Sequence, residues 1–283
     1  MTSPKVALVT GATDGIGKAT ARRLLSEGWE VVVTGRSAAK CEATLTELRA
    51  ASPGAEVSAL VADLSAMDDV RHLAGQFLAA HDRLDLLLLN ANSITQAHTR
   101  TRDGFEANLA VGYLGRVLLT WALEDVLRRT AGSSVLTVVG LNLDRLDFED
   151  PSKAEGFSSM KALGHWQWAA QVFAREWNRR VPSVAMNVYM PGLVRTKILA
   201  DEPQPMRLFV HIANALIGLP VAKAGVELAA VIEDIRQSGR RDACYARTKL
   251  KPPRDLRERP GDGERLWAMT ERLLASWRAP STP

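Results

Sequence analysis

Six short apolar runs punctuate the chain, at Lys5 to Thr10, Glu30 to Thr34, Val57 to Ala62, Leu84 to Asn90, Ser134 to Val139 and Val184 to Met190. Between them lie longer stretches whose apolar and charged positions follow helical spacing, as in KATARRLL after the first run. Strands that alternate with helices in this way predict βαβ units, which need right-handed crossovers and build a parallel sheet. The predicted fold class is α/β: a Rossmann-type, doubly wound parallel sheet with helices on both faces. No internal repeat or low-complexity linker interrupts the pattern, so a single domain over residues 1–283 is expected.

In such sheets ligands bind beyond the carboxyl ends of the strands, near the point where strand order reverses. The first predicted strand runs into GATDGIG, with Gly11, Thr13, Asp14, Gly15, Ile16 and Gly17. Glycines there let the chain turn sharply and approach a diphosphate, and the N–H groups opening the next helix face that anion. A glycine fingerprint alone is a weak signal. Here every predicted strand end carries a marked segment: Arg36 after the second, Asp63 and Leu64 after the third, Asn90 and Ala91 after the fourth. Gly140 to Asp144 follow the fifth strand and Pro191 to Thr196 the sixth.

The end of the second strand, VVVTGRS, bears on the choice of dinucleotide. A carboxylate at position 35 would hold the two ribose hydroxyls of NAD, but Gly35 stands there and Arg36 follows. A guanidinium pairs a 2′-phosphate through two charge-assisted hydrogen bonds, which favours NADP(H) over NAD(H). Asp14, inside the glycine loop, argues the other way, and Lys18 is a candidate to compensate.

Composition adds limits. Of 283 residues 46% are hydrophobic, enough for a large core, and no apolar run is long enough to span a membrane. The N-terminus enters the first strand almost at once, leaving no room for a signal peptide, so a cytoplasmic protein is expected. Cys41 and Cys244 lie far apart without metal-ligand spacing, which predicts free structural thiols and no metal site. Arg236 to Arg259 holds nine Lys/Arg against three Asp/Glu, more than the whole net charge of +4. Without a nucleic-acid motif beside it, a solvated surface is expected and a nucleic-acid partner is not.

TGATDGIGKATA resembles the cofactor fingerprint of the short-chain dehydrogenase/reductase superfamily, in the form found in its retinol-dehydrogenase-like branch. ERLWAMTERLL, from Glu264 to Leu274, is similar to that branch's C-terminal helix. The resemblance implies that Asp63 and Leu64 flank the adenine and that Asn90 and Ala91 pass the ribose. PGLVRT, with Pro191, Gly192, Val194 and Thr196, then covers the nicotinamide, and Lys161 holds its ribose. It also implies a substrate-covering lid at about 197–222, where Leu208, Val210, Ile212, Leu216 and Ile217 suit an apolar pocket, and a C-terminal extension at about 240–283. A homodimer or homotetramer through the helices of Tyr113 to Leu127 and Gly164 to Trp177 is expected, given their Leu118, Trp121, Trp166, Trp168 and Phe173.

The chain departs from the family where chemistry is done. A Tyr-x-x-x-Lys pair, helped by Ser and Asn, handles the proton in these enzymes. Here the Tyr position is Phe157, the Asn position is Gly112, and the Ser position falls at Gly140, Leu141 or Asn142; only Lys161 of the four remains. Phenylalanine can neither donate a proton nor stabilise an oxyanion. Asn142 is the candidate catalytic replacement beside Lys161; Asp144, Tyr113, Tyr189 and His165 are weaker ones. The reading that follows is an atypical NADP-dependent enzyme acting on a hydrophobic small molecule by hydride transfer to a C=C, C=N or self-activated carbonyl group. The alternative is a non-redox enzyme or a binding protein that keeps the nucleotide as scaffold.

Overall fold

The computed structural model describes residues 4–140, 145–152, 155–196, 217–252 and 258–278. The first half alternates β1 (Val6–Val9), α1 (Gly15–Ser26), β2 (Glu30–Gly35), α2 (Ala38–Ala51), β3 (Val57–Val61), α3 (Met67–Ala80) and β4 (Leu86–Leu89). A helical stretch follows in pieces: α4 (Ala107–Leu109), a π-helical turn (Ala110–Leu114), α5 (Gly115–Ala122) and α6 (Glu124–Arg129). Then come β5 (Ser134–Val138), α7 (Ser159–Arg180), β6 (Ala185–Met190), α8 (Val221–Ser238), β7 (Cys244–Ala246), β8 (Lys249–Lys251), α9 (Asp262–Leu273) and α10 (Ala275–Arg278).

The strands form one sheet in the order β3-β2-β1-β4-β5-β6-β7-β8, parallel except for the last pair. Strand order reverses between β1 and β4, which pair with Ala7 opposite Leu86 and Val9 opposite Leu88. The glycine loop and the segment from Asn90 therefore open side by side at the switch point.

Both faces of the sheet are buried, which is why its strands read as continuous apolar runs. Alternate residues feed two cores. Leu8, Leu87 and Leu89 pack with α3, α5 and α7, while Ala7, Val9, Leu86 and Leu88 pack with α1, α2 and α8. Close approach of α1 and α8 depends on Gly225, where an added Cβ would lie 2.6 Å from that of Ala19.

The apolar faces of α5 and α7 are covered within the single chain. Trp121, Trp166, Trp168 and Phe173 are all buried, and Trp267 of α9 stacks on Phe173 with ring centroids 5.3 Å apart. Arg180 and Arg278 cap this cluster by lying over the rings of Trp267 and Trp121. The aromatic side chains on which the expectation of assembly rested thus need no second copy to bury them.

The basic C-terminal segment forms a small β7–β8 hairpin with Lys249, Leu250 and Lys251 exposed, an element the apolar pattern did not predict. Several of its charges are already paired, Arg236 with Glu233 and Arg247 with Glu227. Both cysteines are free and buried. Among the described residues no helix is long and apolar enough to cross a membrane.

Candidate active site

The glycine loop is shaped by contacts that leave no space for side chains. A Cβ at Gly11 would sit 2.7 Å from the Ala91 Cα, and one at Gly17 would meet the Asn90 amide nitrogen at 2.5 Å and the Gly11 carbonyl at 2.6 Å. Gly11 and Gly15 also hold φ of +64° and +55°, a region open to glycine at no steric cost. Asn90 works as a brace: its side-chain amide donates to the carbonyls of Thr10 and Gly11, each at 3.1 Å. The backbone N–H groups of Asn90 and Ala91 both donate to the Thr10 hydroxyl, at 2.9 and 3.0 Å. The bare backbone at the N-terminus of α1 is therefore held open at the switch point, as a diphosphate requires.

Asp14 caps α1, its carboxylate accepting from the Gly15 N–H at 2.7 Å. Lys18 does not offset it, because its ammonium pairs with Glu47 at 2.8 Å. Gly35 is required by packing, since a Cβ there would lie 2.5 Å from the Thr13 methyl. The same contact that demands glycine thus removes the carboxylate that would select NAD. Next to it, Arg36 is exposed and makes no hydrogen bond or ion pair among the described residues. Asp63 turns its carboxylate to the Ser65 N–H at 2.9 Å, and Leu64 packs under α5, where a Cβ at Gly115 would meet the Leu64 carbonyl at 2.4 Å.

Pro191 to Thr196 faces the glycine loop from the other strand end. It is pinned to the chain before α8: Arg195 N–H donates to the Leu219 carbonyl at 3.0 Å and Leu219 N–H to that of Leu193 at 2.9 Å. The Thr196 methyl lies 3.5 Å from where a Gly15 Cβ would be, which brings PGLVRT over the mouth of the cradle. Asn92, where the family has glycine, uses its carbonyl oxygen to accept from the Ser93 N–H at 2.8 Å and so folds back on its own loop.

The space beside Gly112 and Gly140 is filled from α7. Gly112 sits in the π-helical turn, and an added Cβ would lie 2.4 Å from the indole of Trp166. At Gly140 a Cβ would meet the Gln167 amide at 2.9 Å. Two consecutive residues of one helix thus occupy the space into which a side chain at Gly112 or Gly140 would extend. Phe157 is half-buried just before α7, and Lys161 is exposed in that helix's first turn. Asn142 and Asp144, and most of the lid including Leu208, Val210, Ile212 and Leu216, lie outside the described residues.

Three other candidates for a proton donor are buried in the described structure. The Tyr113 hydroxyl bonds the Thr270 hydroxyl at 2.6 Å inside the core, and burial raises its pKa. Tyr189 is fully buried in the core on the α1 and α8 side, its phenol also pushed up by burial. His165 is buried on α7.

A residue that sequence reasoning missed organises the floor of the site. The Arg116 guanidinium, buried in α5, donates to Ala91 O at 2.7 Å, Thr137 Oγ1 at 2.9 Å and Val138 O at 2.8 Å. Its plane lies 5.1 Å from the Trp166 ring centroid. One cation thus ties the ends of β4 and β5 together and seats the indole against Gly112. A lone arginine within the apolar stretch GRVLLTW was the available signal.

A doubly wound sheet with a bare-backbone cradle at its switch point defines a dinucleotide-binding α/β protein. The short chain dehydrogenase family model matches residues 5–206, and the chain belongs to that family, in its retinol-dehydrogenase-like branch. It is 34% identical over 199 residues to human retinol dehydrogenase 12, an alignment covering 69% of this chain and 63% of the relative, so it spans less than two thirds of that protein. Among solved structures it resembles an uncharacterised protein from Mycobacterium paratuberculosis, with TM-score 0.73, 22% identity, and coverage of 96% and 93% of the two chains. It also resembles a metagenomic short-chain oxidoreductase in complex with NADP, with TM-score 0.61, 25% identity, and coverage of 86% and 96%.

Proposed function

We propose that this protein is an NADP(H)-dependent oxidoreductase of hydrophobic small molecules whose mechanism dispenses with the family's tyrosine, asparagine and serine. The observation that carries the reading is the contrast between the two halves of the site. The cradle is intact down to the steric demands of Gly11 and Gly17, while the tyrosine and asparagine positions are Phe157 and Gly112 and the serine position falls at Gly140, Leu141 or Asn142, with Trp166 packed on Gly112 and Gln167 on Gly140. Cofactor binding and proton transfer have been separated.

The residues present fit a phosphorylated dinucleotide. Gly11 to Gly17 would receive the diphosphate, Arg36 the 2′-phosphate, Asp63 and Leu64 the adenine, and Thr196 the carboxamide. Lys161 would hold the ribose, having no phenol to act upon. Bound there, the nicotinamide supplies or accepts a hydride. The solved oxidoreductase with NADP at 25% identity supports the choice of dinucleotide.

A side chain that cannot ionise in the tyrosine position leaves two routes: a substrate bond that takes hydride without a phenol, or a proton drawn from elsewhere. General-acid assistance is typically worth about 10²–10⁴-fold, so the distinction governs which substrates turn over. C=C and C=N bonds, and carbonyls carrying their own acid group, suit the first route. The retinol-dehydrogenase relatives and the apolar ring of Phe157 support an apolar substrate, retinol-like compounds among those to be tried. Near-ultraviolet absorbance of NADPH with a panel of enones, cyclic imines and aldehydes tests the reading. Consumption of the band with one class supports it, and product formation without any change in the band would move the protein to non-redox chemistry.

A further inference from the structure

His98 lies in the loop that leaves β4, eight positions beyond the Asn90 brace, and packs edge-on against Phe157 with ring centroids 5.5 Å apart and planes at 85°. Its Nε2 is shielded from solvent and has no hydrogen-bond partner among the described residues. Buried polar atoms are paired in the great majority of cases, and one that is not calls for a role. Here the orphaned nitrogen belongs to an imidazole beside the very residue that replaces the family's proton donor.

The loop presenting it is pinned. Thr95 N–H donates to Asn108 Oδ1 at 2.8 Å, the Asn108 amide returns a bond to Thr95 Oγ1 at 3.0 Å, and Ala107 N–H reaches Thr99 O at 2.9 Å. Glu106 completes the arrangement: buried, it accepts from the N–H groups of Asn108 and Leu109 at 2.9 and 2.8 Å. Burial pushes the Glu106 carboxyl up, and those two N–H groups together with the nearby positive charge of His98 act against the rise. The carboxylate and the imidazole attract each other when both are charged. An imidazole packed on Phe157, with an unpartnered nitrogen and a buried carboxylate near enough to feel its charge, has the chemistry of a proton-transfer residue.

We propose that His98 takes over the proton step in this site, its Nε2 reaching a substrate oxygen seated against Phe157. This rests on the oxidoreductase reading above and adds the group that reading leaves unassigned. In the reducing direction the N–H bond of the imidazolium breaks as an O–H bond forms on the substrate oxygen that gains negative charge. The N–H electron pair stays on nitrogen, and the neutral imidazole regains its proton from water that enters when product leaves. In the oxidising direction the neutral imidazole takes the alcohol proton. The substrate class is an apolar molecule with one oxygen at its reacting end, an enone or aldehyde when reduced and an alcohol when oxidised.

The test compares the full chain with His98→Gln and His98→Phe. With NADPH and decanal or 2-cyclohexenone, His98→Gln is expected to lower kcat by about 100-fold or more, the scale of general-acid assistance, with NADPH affinity unchanged. His98→Phe, which keeps the packing on Phe157, is expected to lose as much. Retention of wild-type kcat by either variant overturns the proposal. Should wild-type protein consume no NADPH with any substrate, the redox reading fails by itself, and His98 is judged by binding. Nitrogen NMR on histidine-labelled protein is expected to show the His98 Nε2 resonance move on addition of millimolar 4-nitrophenol, with about tenfold weaker binding to His98→Phe, which equals the loss of one charge-assisted hydrogen bond. An unmoved resonance, or equal binding by the variant, overturns the proposal in that case too.

Discussion

Replacing Arg116 by methionine tests whether the floor of the site depends on a buried cation. The guanidinium donates three hydrogen bonds between 2.7 and 2.9 Å, to two backbone carbonyls and a hydroxyl, and no carboxylate among the described residues faces it. Hydrogen bonds involving a charged group are worth roughly 1.5–3 kcal/mol each, so the gross gain is on the order of 5–9 kcal/mol. Against it stands desolvation, which pushes the guanidinium down to about 9. A depression of that size corresponds to about 5 kcal/mol, and it leaves the group charged at neutral pH. The arginine is therefore a modest net stabiliser. Methionine removes the desolvation cost but strands the carbonyls of Ala91 and Val138, at roughly 1–3 kcal/mol each. Arg116→Met is expected to lower stability by about 2–4 kcal/mol, read as a shifted urea midpoint at constant slope. It should also weaken NADPH binding, because Ala91 bears directly on Gly11. Buried ion pairs can often be replaced by apolar groups at no loss. A methionine variant as stable as wild type would show that this unpaired buried cation is as replaceable and refute the reasoning.

Other expectations follow from the same geometry. Arg36→Ala should cost roughly 1.5–3 kcal/mol of NADPH affinity and leave NADH nearly unaffected, which calorimetric titration of both cofactors would measure. Lys161→Ala should weaken NADPH binding while Phe157→Tyr should not, and equal effects in a fluorescence titration would contradict the roles given to them. Gly112→Asn should destabilise the protein by roughly 1–3 kcal/mol through overpacking against Trp166, so adding it to Phe157→Tyr should not rebuild the family's relay. An unchanged melting temperature for Gly112→Asn would show that the indole moves aside.

Much of the fold was legible because its strands are buried on both faces and its helices on one, so period and apolarity agree along residues 5–190. The glycine loop was legible for a related reason: positive φ at Gly11 and Gly15, and close backbone approach at Gly11 and Gly17, leave few alternatives to glycine. What was not legible depends on distant contacts. The β7–β8 hairpin is too short and lysine-rich to carry an apolar signal. Gly112 and Gly140 read as losses, yet only the packed α7 reveals that Trp166 and Gln167 take up their space. Nothing in the segments of α5 and α7 shows that Trp267, some hundred residues later, packs on their Trp121 and Phe173. His98 carried no motif at all; its significance arises from a loop that folds it onto Phe157.

The central claim is that hydride moves through this site although the phenol is gone. The most direct measurement uses NADPH deuterated on the transferring face of its ring, with mass spectrometry of the product from whichever enone, imine or aldehyde turns over. The account predicts one deuterium in the product, transferred by wild type and Phe157→Tyr alike. Product formed without deuterium would contradict it, and would make the dinucleotide a scaffold rather than a reactant.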